Sequence, residues 1–231
     1  MTTSFEIPEL RYGTVNADLI GKWHGLDPAE DGPFYALNLM AYRDVADYGD
    51  ASGPRISGRE ADDRYAPIAP LAAVGASIVL FADVSDQRGA APSWDRVAIV
   101  RYPTRAAFLE MNESEEFQRL HVHKEAGMRE TILASCVPAG PSADAPGSIV
   151  LRVVKGASQL AAAPGAARVA TFDVEGIVIG DGRTFDRVAL DACEDAAAVA
   201  SSMAADAAGD EHFAIALGRP IINQVAASIV A

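Results

Sequence analysis

The sequence predicts an α+β protein in which two tandem ferredoxin-like βαββαβ repeats pack sheet to sheet as an internal pseudo-dimeric α/β barrel. The main observation is a repeated motif: residues 94–99 read WDRVAI and residues 185–190 read FDRVAL. Each copy leads into an alanine-rich helical stretch, and a strand followed by a helix, repeated at domain-sized spacing, indicates two copies of one small unit. Two apolar sheet faces on one chain can then cover each other.

The first half of the chain contains one complete unit. Residues 1–32 are predicted to be an N-terminal extension that ends at the DGP turn, and residues 33–138 form repeat 1. A capping box at Ser57 and Glu60 opens its first helix. Its other elements are predicted to be strands over 34–43, 76–84, 94–102 and 131–137, and helical segments over 104–111 and 114–129.

The second half repeats this order in shorter form. Residues 139–147 have the composition of a linker, and residues 148–231 form repeat 2, which is trimmed in its first helix and the loop before it. Its elements are predicted to be strands over 148–155, 168–179, 184–192 and within 212–225, and helices over 157–163 and 194–208. The trimming suggests a division of labour in which only the first repeat keeps a pocket.

Charge and composition exclude several classes of partner. A formal net charge of −13 over 231 residues disfavours nucleic acid and anionic membrane surfaces. The longest apolar stretch, residues 70–82, is too short to span a bilayer, and the N-terminus lacks a signal-peptide pattern. Two cysteines within apolar runs are typical of reduced thiols, so a cytoplasmic protein is expected.

Four short segments of the first repeat match a known family. They are the asparagine-containing strand LNLMAYR at 37–43, GRE at 58–60, RYP at 101–103 before an Ala-Phe-Leu helix, and HVH at 121–123 ahead of the last strand. Over about residues 30–138 the chain resembles the dimeric α/β-barrel superfamily and, within it, the bacterial family called domain of unknown function 1330. The C-terminal half is similar in fold only, because it lacks RYP, HVH and GRE.

This resemblance implies two units paired around shallow pockets. Members of the superfamily include cofactor-free oxygenases, small-molecule isomerases and cyclases, haem enzymes, and proteins without a known activity. The resemblance therefore implies a fold and a small-molecule ligand but no particular reaction.

His121 is the candidate catalytic residue. Residues two apart on a helix point about 200° away from each other, so His121 and His123 cannot line one site. His121 shares a partly apolar stripe with Phe117 and Lys124 and is expected to face the sheet, where an imidazole can transfer protons. The alternative is a half-buried histidine bonded to the backbone.

The candidate substrate-binding residues are mostly on the predicted strands. Alternation places Asn38, Met40 and Tyr42 on one face of the first strand, and Asn38 would be a polar contact if that face lined the barrel interior. Each of these residues could instead belong to the core. The remaining candidates are Tyr65, Trp94 and Arg101.

The sequence favours a cofactor-independent enzyme that acts on a small, mostly apolar organic molecule in a barrel pocket. No dinucleotide fingerprint, P-loop, nucleophile elbow or structural zinc spacing is present, so neither a metal nor a cofactor is predicted. The alternatives are a non-catalytic metabolite-binding protein, a haem protein, and a structural module whose second repeat plugs the first. Either a monomeric pseudo-dimer or a homodimer is expected.

Overall fold

The computed structural model describes residues 9–49, 53–89, 91–156, 160–203 and 212–230, and ten strands and seven helices lie in these ranges. The strands are Thr14–Val15 (β1), Phe34–Tyr42 (β2), Ser77–Gly89 (β3), Arg96–Tyr102 (β4), Met128–Pro138 (β5), Ser148–Val154 (β6), Ala167–Gly180 (β7), Arg187–Cys193 (β8), His212–Leu217 (β9) and Ile222–Asn223 (β10). The helices are Ala17–His24 (α1), Gly58–Tyr65 (α2), Ile68–Ala73 (α3), Arg105–Glu113 (α4), Glu115–Gly127 (α5), Ala196–Met203 (α6) and Val225–Val230 (α7).

Eight long antiparallel strands close into a β-barrel, which confirms the prediction of an α+β barrel protein. The first half pairs its strands in the order β5-β2-β4-β3, and the second half in the order β9-β6-β8-β7. When the four long strands of each half are numbered along the chain, their order in the sheet is therefore fourth, first, third and second. The short strands β1 and β10 pair with β7 and β3 outside this ring.

The two halves join at their edges, whereas the sequence predicted packing of one sheet face against the other. Strand β5 pairs with β7, and β3 pairs with β9, so hydrogen bonds run continuously around the barrel. An unpaired edge strand exposes backbone donors and acceptors, and closure within one chain satisfies them. The inner faces then pack together across the barrel as a single apolar cluster.

The repeated motif occupies the same place in both halves. Trp94 and Phe185 both enter the barrel interior, where their rings lie 5.9 and 5.6 Å from the ring of Phe213. The aspartates that follow them occupy equivalent positions, since the main-chain N–H of Asp95 donates to Met40 at 2.8 Å and that of Asp186 donates to Val154 at 2.9 Å. The sequence repeat therefore marks the start of the third strand of each half.

Helices α1 to α5 cover the outer face of the first half's sheet, and the predicted capping box starts α2. Ser57 accepts from the main chain of Glu60, and the Glu60 carboxylate accepts from Ser57 in return. Helices α2 and α5 approach backbone to backbone, because a Cβ atom at Gly58 would lie 2.4 Å from the carbonyl oxygen of Gly127. This contact fixes α5 over the sheet.

The second half is covered more thinly. Small side chains of α6, including Ala196 and Ala200, pack on its outer face. The predicted helix over 157–163 is wrong for residues 160–163, which are not helical, and residues 157–159 lie outside the described ranges. The last predicted strand is divided into β9 and β10. Helix α7 then packs on the barrel interior, with the Tyr35 hydroxyl donating to the Ser228 carbonyl at 2.9 Å. Among the described helices, none has the length and apolarity needed to cross a bilayer.

Candidate functional site

A cavity of about 890 Å³ lies between the outer face of the first half's sheet and helices α1 to α5. Its walls are mainly apolar, with a few polar side chains grouped on α2, α5 and the N-terminal segment. A large apolar space with a few converging polar groups is the usual form of a small-molecule site. The residues that line its apolar part include Ile20, Ala36, Met40, Leu71, Ile78, Val100, Tyr102, Phe108, Leu109, Met111, Phe117 and Leu133.

The predicted location of the pocket inside the barrel is wrong. Bulky side chains such as Tyr35, Leu37 and Phe172 fill the interior, as in other small eight-stranded barrels. Asn38 and Met40 share a strand face as predicted, but that face points outward toward the helices, where both side chains line the cavity.

His121 stands in the cavity wall among aromatic rings. Its Nε2 atom forms a 2.8 Å hydrogen bond with the Tyr12 hydroxyl, and its ring stacks on Phe117 with centroids 5.3 Å apart. The Tyr65 ring lies edge-on at 6.4 Å. These contacts fix the orientation of the imidazole, and one edge of the ring contacts a phenol.

Burial determines the ionisation of this group. Burial, together with the smaller effect of the positive charge of Lys124, lowers the pKa of His121 to about 4. Burial also raises the pKa of Tyr12 and of Tyr65 above their ordinary values. At neutral pH the site therefore contains a neutral imidazole beside un-ionised phenols, and that imidazole can accept a proton.

Lys124 is the most unusual charged residue of the site. Its side chain is 6% exposed and lines the cavity from α5, one turn after His121. Its Nζ atom lies 5.2 Å from the ring centroid of Tyr65 and 5.9 Å from that of Tyr12. In the described ranges, no acceptor forms a hydrogen bond or ion pair with this ammonium group. Burial lowers its pKa, although the charges of Asp62 and Glu125 oppose that effect.

The two carboxylates nearest to Lys124 are each held by an arginine. Asp62, which is 7% exposed, accepts from Tyr42 at 2.6 Å and from Arg96 at 3.0 Å. Glu125 accepts from both the main chain and the guanidinium group of Arg11. Each carboxylate is thus bonded to an arginine, which it shares with other acidic side chains.

The predicted substrate-binding residues separate into two groups. Asn38, Met40 and Tyr65 line the cavity, and the Asn38 amide donates to the Ala36 carbonyl at 3.1 Å. Tyr42 lies behind the wall, where it supports Asp62.

Trp94 and Arg101 do not line the cavity. Trp94 belongs to the barrel interior. Arg101 pairs with Tyr35 across β2 and β4, on the strand face that points inward. Arg101 has the strand parity opposite to that of Ala98, which pairs with Asn38, so it lies on the other side of the sheet, whereas Trp94 precedes β4.

Sequence reasoning missed Tyr12, Asp62 and Lys124 as site residues. Tyr12 belongs to the N-terminal segment, which the sequence predicted to be an extension, yet its side chain is 3% exposed and closes the cavity beside His121. A signal for Lys124 was present, because it shares the helical stripe of Phe117 and His121.

Exposed apolar side chains surround the mouth of the cavity. Ile68, Val122 and Ile221 line it while they remain 60%, 53% and 69% exposed, respectively. Large apolar residues at such exposure are unusual when they are clustered. They provide an apolar entrance between α3, α5 and the segment before β10.

Within the described part of the chain, no group of three or more histidine, cysteine, aspartate or glutamate side chains is arranged to hold a metal ion. No family model matches the sequence, and no curated protein matches it.

Several solved structures are similar to this chain. A protein of unknown function from Rhodopseudomonas palustris is 24% identical, with a TM-score of 0.49 over 56% of this chain and 98% of that chain. Its methylated form gives 24% identity and a TM-score of 0.48 over 56% and 97%. A "putative monooxygenase" from Lactobacillus acidophilus is 12% identical, with a TM-score of 0.41 over 84% and 97%. The function of the cavity therefore has to be inferred from its own residues.

The lowered pKa of His121 predicts a loss of stability in mild acid. The unfolded chain binds a proton on His121 near pH 6.5, whereas the folded chain binds it near pH 4. The free energy of unfolding should therefore fall by about 2–3 kcal/mol as the pH drops from 6.5 to 4. Urea denaturation at pH 7.5 and pH 4.5 measures this loss.

The same measurement on a variant isolates the contribution of His121 from that of the carboxylates. His121→Gln should lose less stability between the two pH values than the wild type does. Identical pH dependence in the two proteins would show that His121 is not held in a neutral form by burial.

Proposed function

We propose that this protein binds a small, mostly apolar organic molecule in the cavity between sheet and helices. We further propose that it acts on that molecule without a cofactor, with His121 as the proton-transfer group. The observation that carries the proposal is the cavity itself, which has a volume of about 890 Å³ and holds a neutral, oriented imidazole in a mainly apolar wall.

The shape of the site supports binding of an organic ligand. Its volume lies within the range of about 300–1,000 Å³ typical of pockets that enclose small molecules. Phe108, Leu71 and Val100 supply apolar contact area, and the amide of Asn38 offers a polar group that can orient a ligand.

His121 supports an enzymatic role over a purely binding role. A base is most effective when its pKa lies near the working pH, and a pKa of about 4 is low for that purpose in the empty cavity. Burial is the main cause of the low value and the charge of Lys124 is the second, and negative charge developing on a substrate would offset the part due to Lys124. The imidazole therefore becomes a stronger base as the substrate loses its proton.

The alternatives can be compared on the same observations. A structural module should contain no cavity larger than a few waters, and the volume observed counts against it. A non-catalytic binding protein should lack a titratable group in its pocket, and buried His121 counts against that. A visible absorption spectrum of freshly purified protein tests the haem alternative.

We also propose that the two halves are tandem ferredoxin-like units and that the first is related to the domain of unknown function 1330. The shared strand order and the equivalent positions of the repeated motif support the tandem arrangement. A barrel closed within one chain favours a monomer over a homodimer, and native mass spectrometry distinguishes the two. The buried free thiols of Cys136 and Cys193 fit a reducing, cytoplasmic setting.

Filling the cavity tests the proposed function. We expect the neutral apolar dye N-phenyl-1-naphthylamine to fluoresce when it binds the wild-type protein. Ala36→Phe should weaken this binding at least 10-fold, because the new ring occupies the cavity that Ala36 lines. Ala29→Phe makes the same chemical change on an exposed turn and should bind as the wild type does.

Circular dichroism should give the same fold for all three proteins. Dye binding that is absent in the wild type, or unchanged in Ala36→Phe, would contradict the proposal that this cavity is the ligand site.

A further inference from the structure

We propose that the ligand of the cavity is an amphipathic organic anion, meaning an apolar ring or short chain with one anionic oxygen group that Lys124 neutralises. A carboxylate and a phenolate both have this chemistry. The inference rests on the proposed function, since it assigns a charge to the molecule that the cavity binds.

Lys124 lines the cavity without a protein acceptor for its ammonium group among the described residues. Its side chain is 94% buried and lines the cavity, yet Nζ has no hydrogen-bond acceptor or ion-pair partner in the ranges that the structure describes. The faces of Tyr65 and Tyr12 lie 5.2 and 5.9 Å away and attract a cation, but they leave its three N–H donors without acceptors. A buried charge in this state is costly, and an anionic group entering the cavity relieves that cost.

The carboxylates nearest to Lys124 are bonded to other cations. Asp62 is bonded to Arg96, and Glu125 is bonded to Arg11. Both carboxylates favour the charged form of Lys124, but neither lies within 4 Å of it. They do not form the ion pair that Lys124 lacks within the described ranges, and one anionic group on a ligand can form it.

The edge of the cavity restricts the rest of the ligand. Exposed carboxylates of Glu9, Asp63 and Glu113 lie at the edge of the cavity, and the whole chain has a net charge of −13. These charges repel ligands with several negative groups. The exposed apolar side chains of Ile68, Val122 and Ile221 favour entry of an apolar body. The site therefore selects a monoanion whose surface is mostly hydrocarbon.

This arrangement places the anionic group beside the proposed proton-transfer residue. The rings of Tyr12 and Tyr65 flank Lys124, and the same two rings contact His121 at 6.1 and 6.4 Å between centroids. A ligand oxygen held by Lys124 thus lies in the neighbourhood of the imidazole.

Two probes of nearly equal shape test the inference. Isothermal titration calorimetry at pH 7.5 compares 2-naphthoate, which is anionic, with 2-naphthamide, which is neutral. We expect wild-type protein to bind naphthoate at least 10-fold more tightly. Lys124→Met should lose this preference, whereas Lys22→Met, which removes the exposed lysine of α1, should keep it.

The outcomes separate this inference from the proposed function. Equal affinity for the two probes in the wild type, or a preference for naphthoate that survives in Lys124→Met, would overturn the anion assignment and leave the cavity as a neutral site. No binding of either probe, together with no binding of the naphthylamine dye, would overturn the proposed function as well. If Lys124→Met does not fold, Lys124→Gln provides a second variant. The comparison of the two probes in the wild type tests the inference without any variant.

Discussion

Replacement of Arg96 by methionine is expected to destabilise the fold by about 3–5 kcal/mol, because it leaves a buried carboxylate without its cation. The Arg96 side chain is 6% exposed, and its guanidinium group bonds Asp62 at 3.0 Å, Asp63 at 2.8 Å and Asp83 at 2.9 Å. It also lies 4.7 Å above the ring of Phe81. Without Arg96, the charge of Asp62 would be stabilised mainly by the hydrogen bond from Tyr42.

Urea denaturation at pH 7.5 measures this effect, and Arg59 provides a matched control. Arg59 also bonds Asp83, at 2.6 Å, but its side chain is 40% exposed. Surface ion pairs contribute about 0–1 kcal/mol, so Arg59→Met should cost no more than that. Similar small losses in both variants would show that Asp62 does not depend on Arg96 for its compensation.

Replacement of Lys124 by methionine is expected to have the opposite sign and to stabilise the ligand-free protein by about 1–3 kcal/mol. Methionine has a similar length, fills the same space with apolar atoms and removes the ammonium group that has no acceptor. Arg96 and Lys124 are both buried cations near Asp62, and they differ in whether ion pairs compensate their charge. The opposite signs follow from that difference.

The pH dependence of this gain provides a further check. The pKa of Lys124 is lower in the folded protein than its ordinary value of 10.5. At pH values between these two pKa values, the unfolded chain therefore binds more protons than the folded protein. The cost of burying the charge is therefore fully present at low pH and disappears as the pH rises toward 10.5. The advantage of Lys124→Met should shrink over that range in denaturation experiments. A variant less stable than the wild type at pH 7.5 would mean that the ammonium group has a compensating partner.

The sequence predicted much of the barrel because its signals are local. The repeated motif marked the third strands, and Ser57 with Glu60 marked the start of α2. A weaker repeat was not predicted: Asp83 lies opposite Arg96 in the first half, and Asp173 lies opposite Arg187 in the second half. Edge pairing between the halves could not be predicted, because alternation within a strand does not indicate which strand will be its neighbour.

The position of the site depended on information that a single strand does not contain. All nine residues of β2 are buried, so its pattern groups Asn38 with Met40 but does not indicate which face the helices cover. Tyr12 reaches His121 from more than a hundred positions away in the chain. Lys124 lies in the last turn of α5, where a lysine usually remains at the surface and interacts with the helix dipole.

A crystal structure of the protein with 6-bromo-2-naphthoate tests the central claim most directly, because anomalous scattering from bromine locates the probe without ambiguity. We predict a bromine peak within the apolar part of the cavity, near Leu71 and Phe108, and a carboxylate within ion-pair distance of the Lys124 ammonium group. A peak inside the barrel or on the outer face of the second half would contradict the account. An empty cavity at millimolar probe concentration would also contradict it.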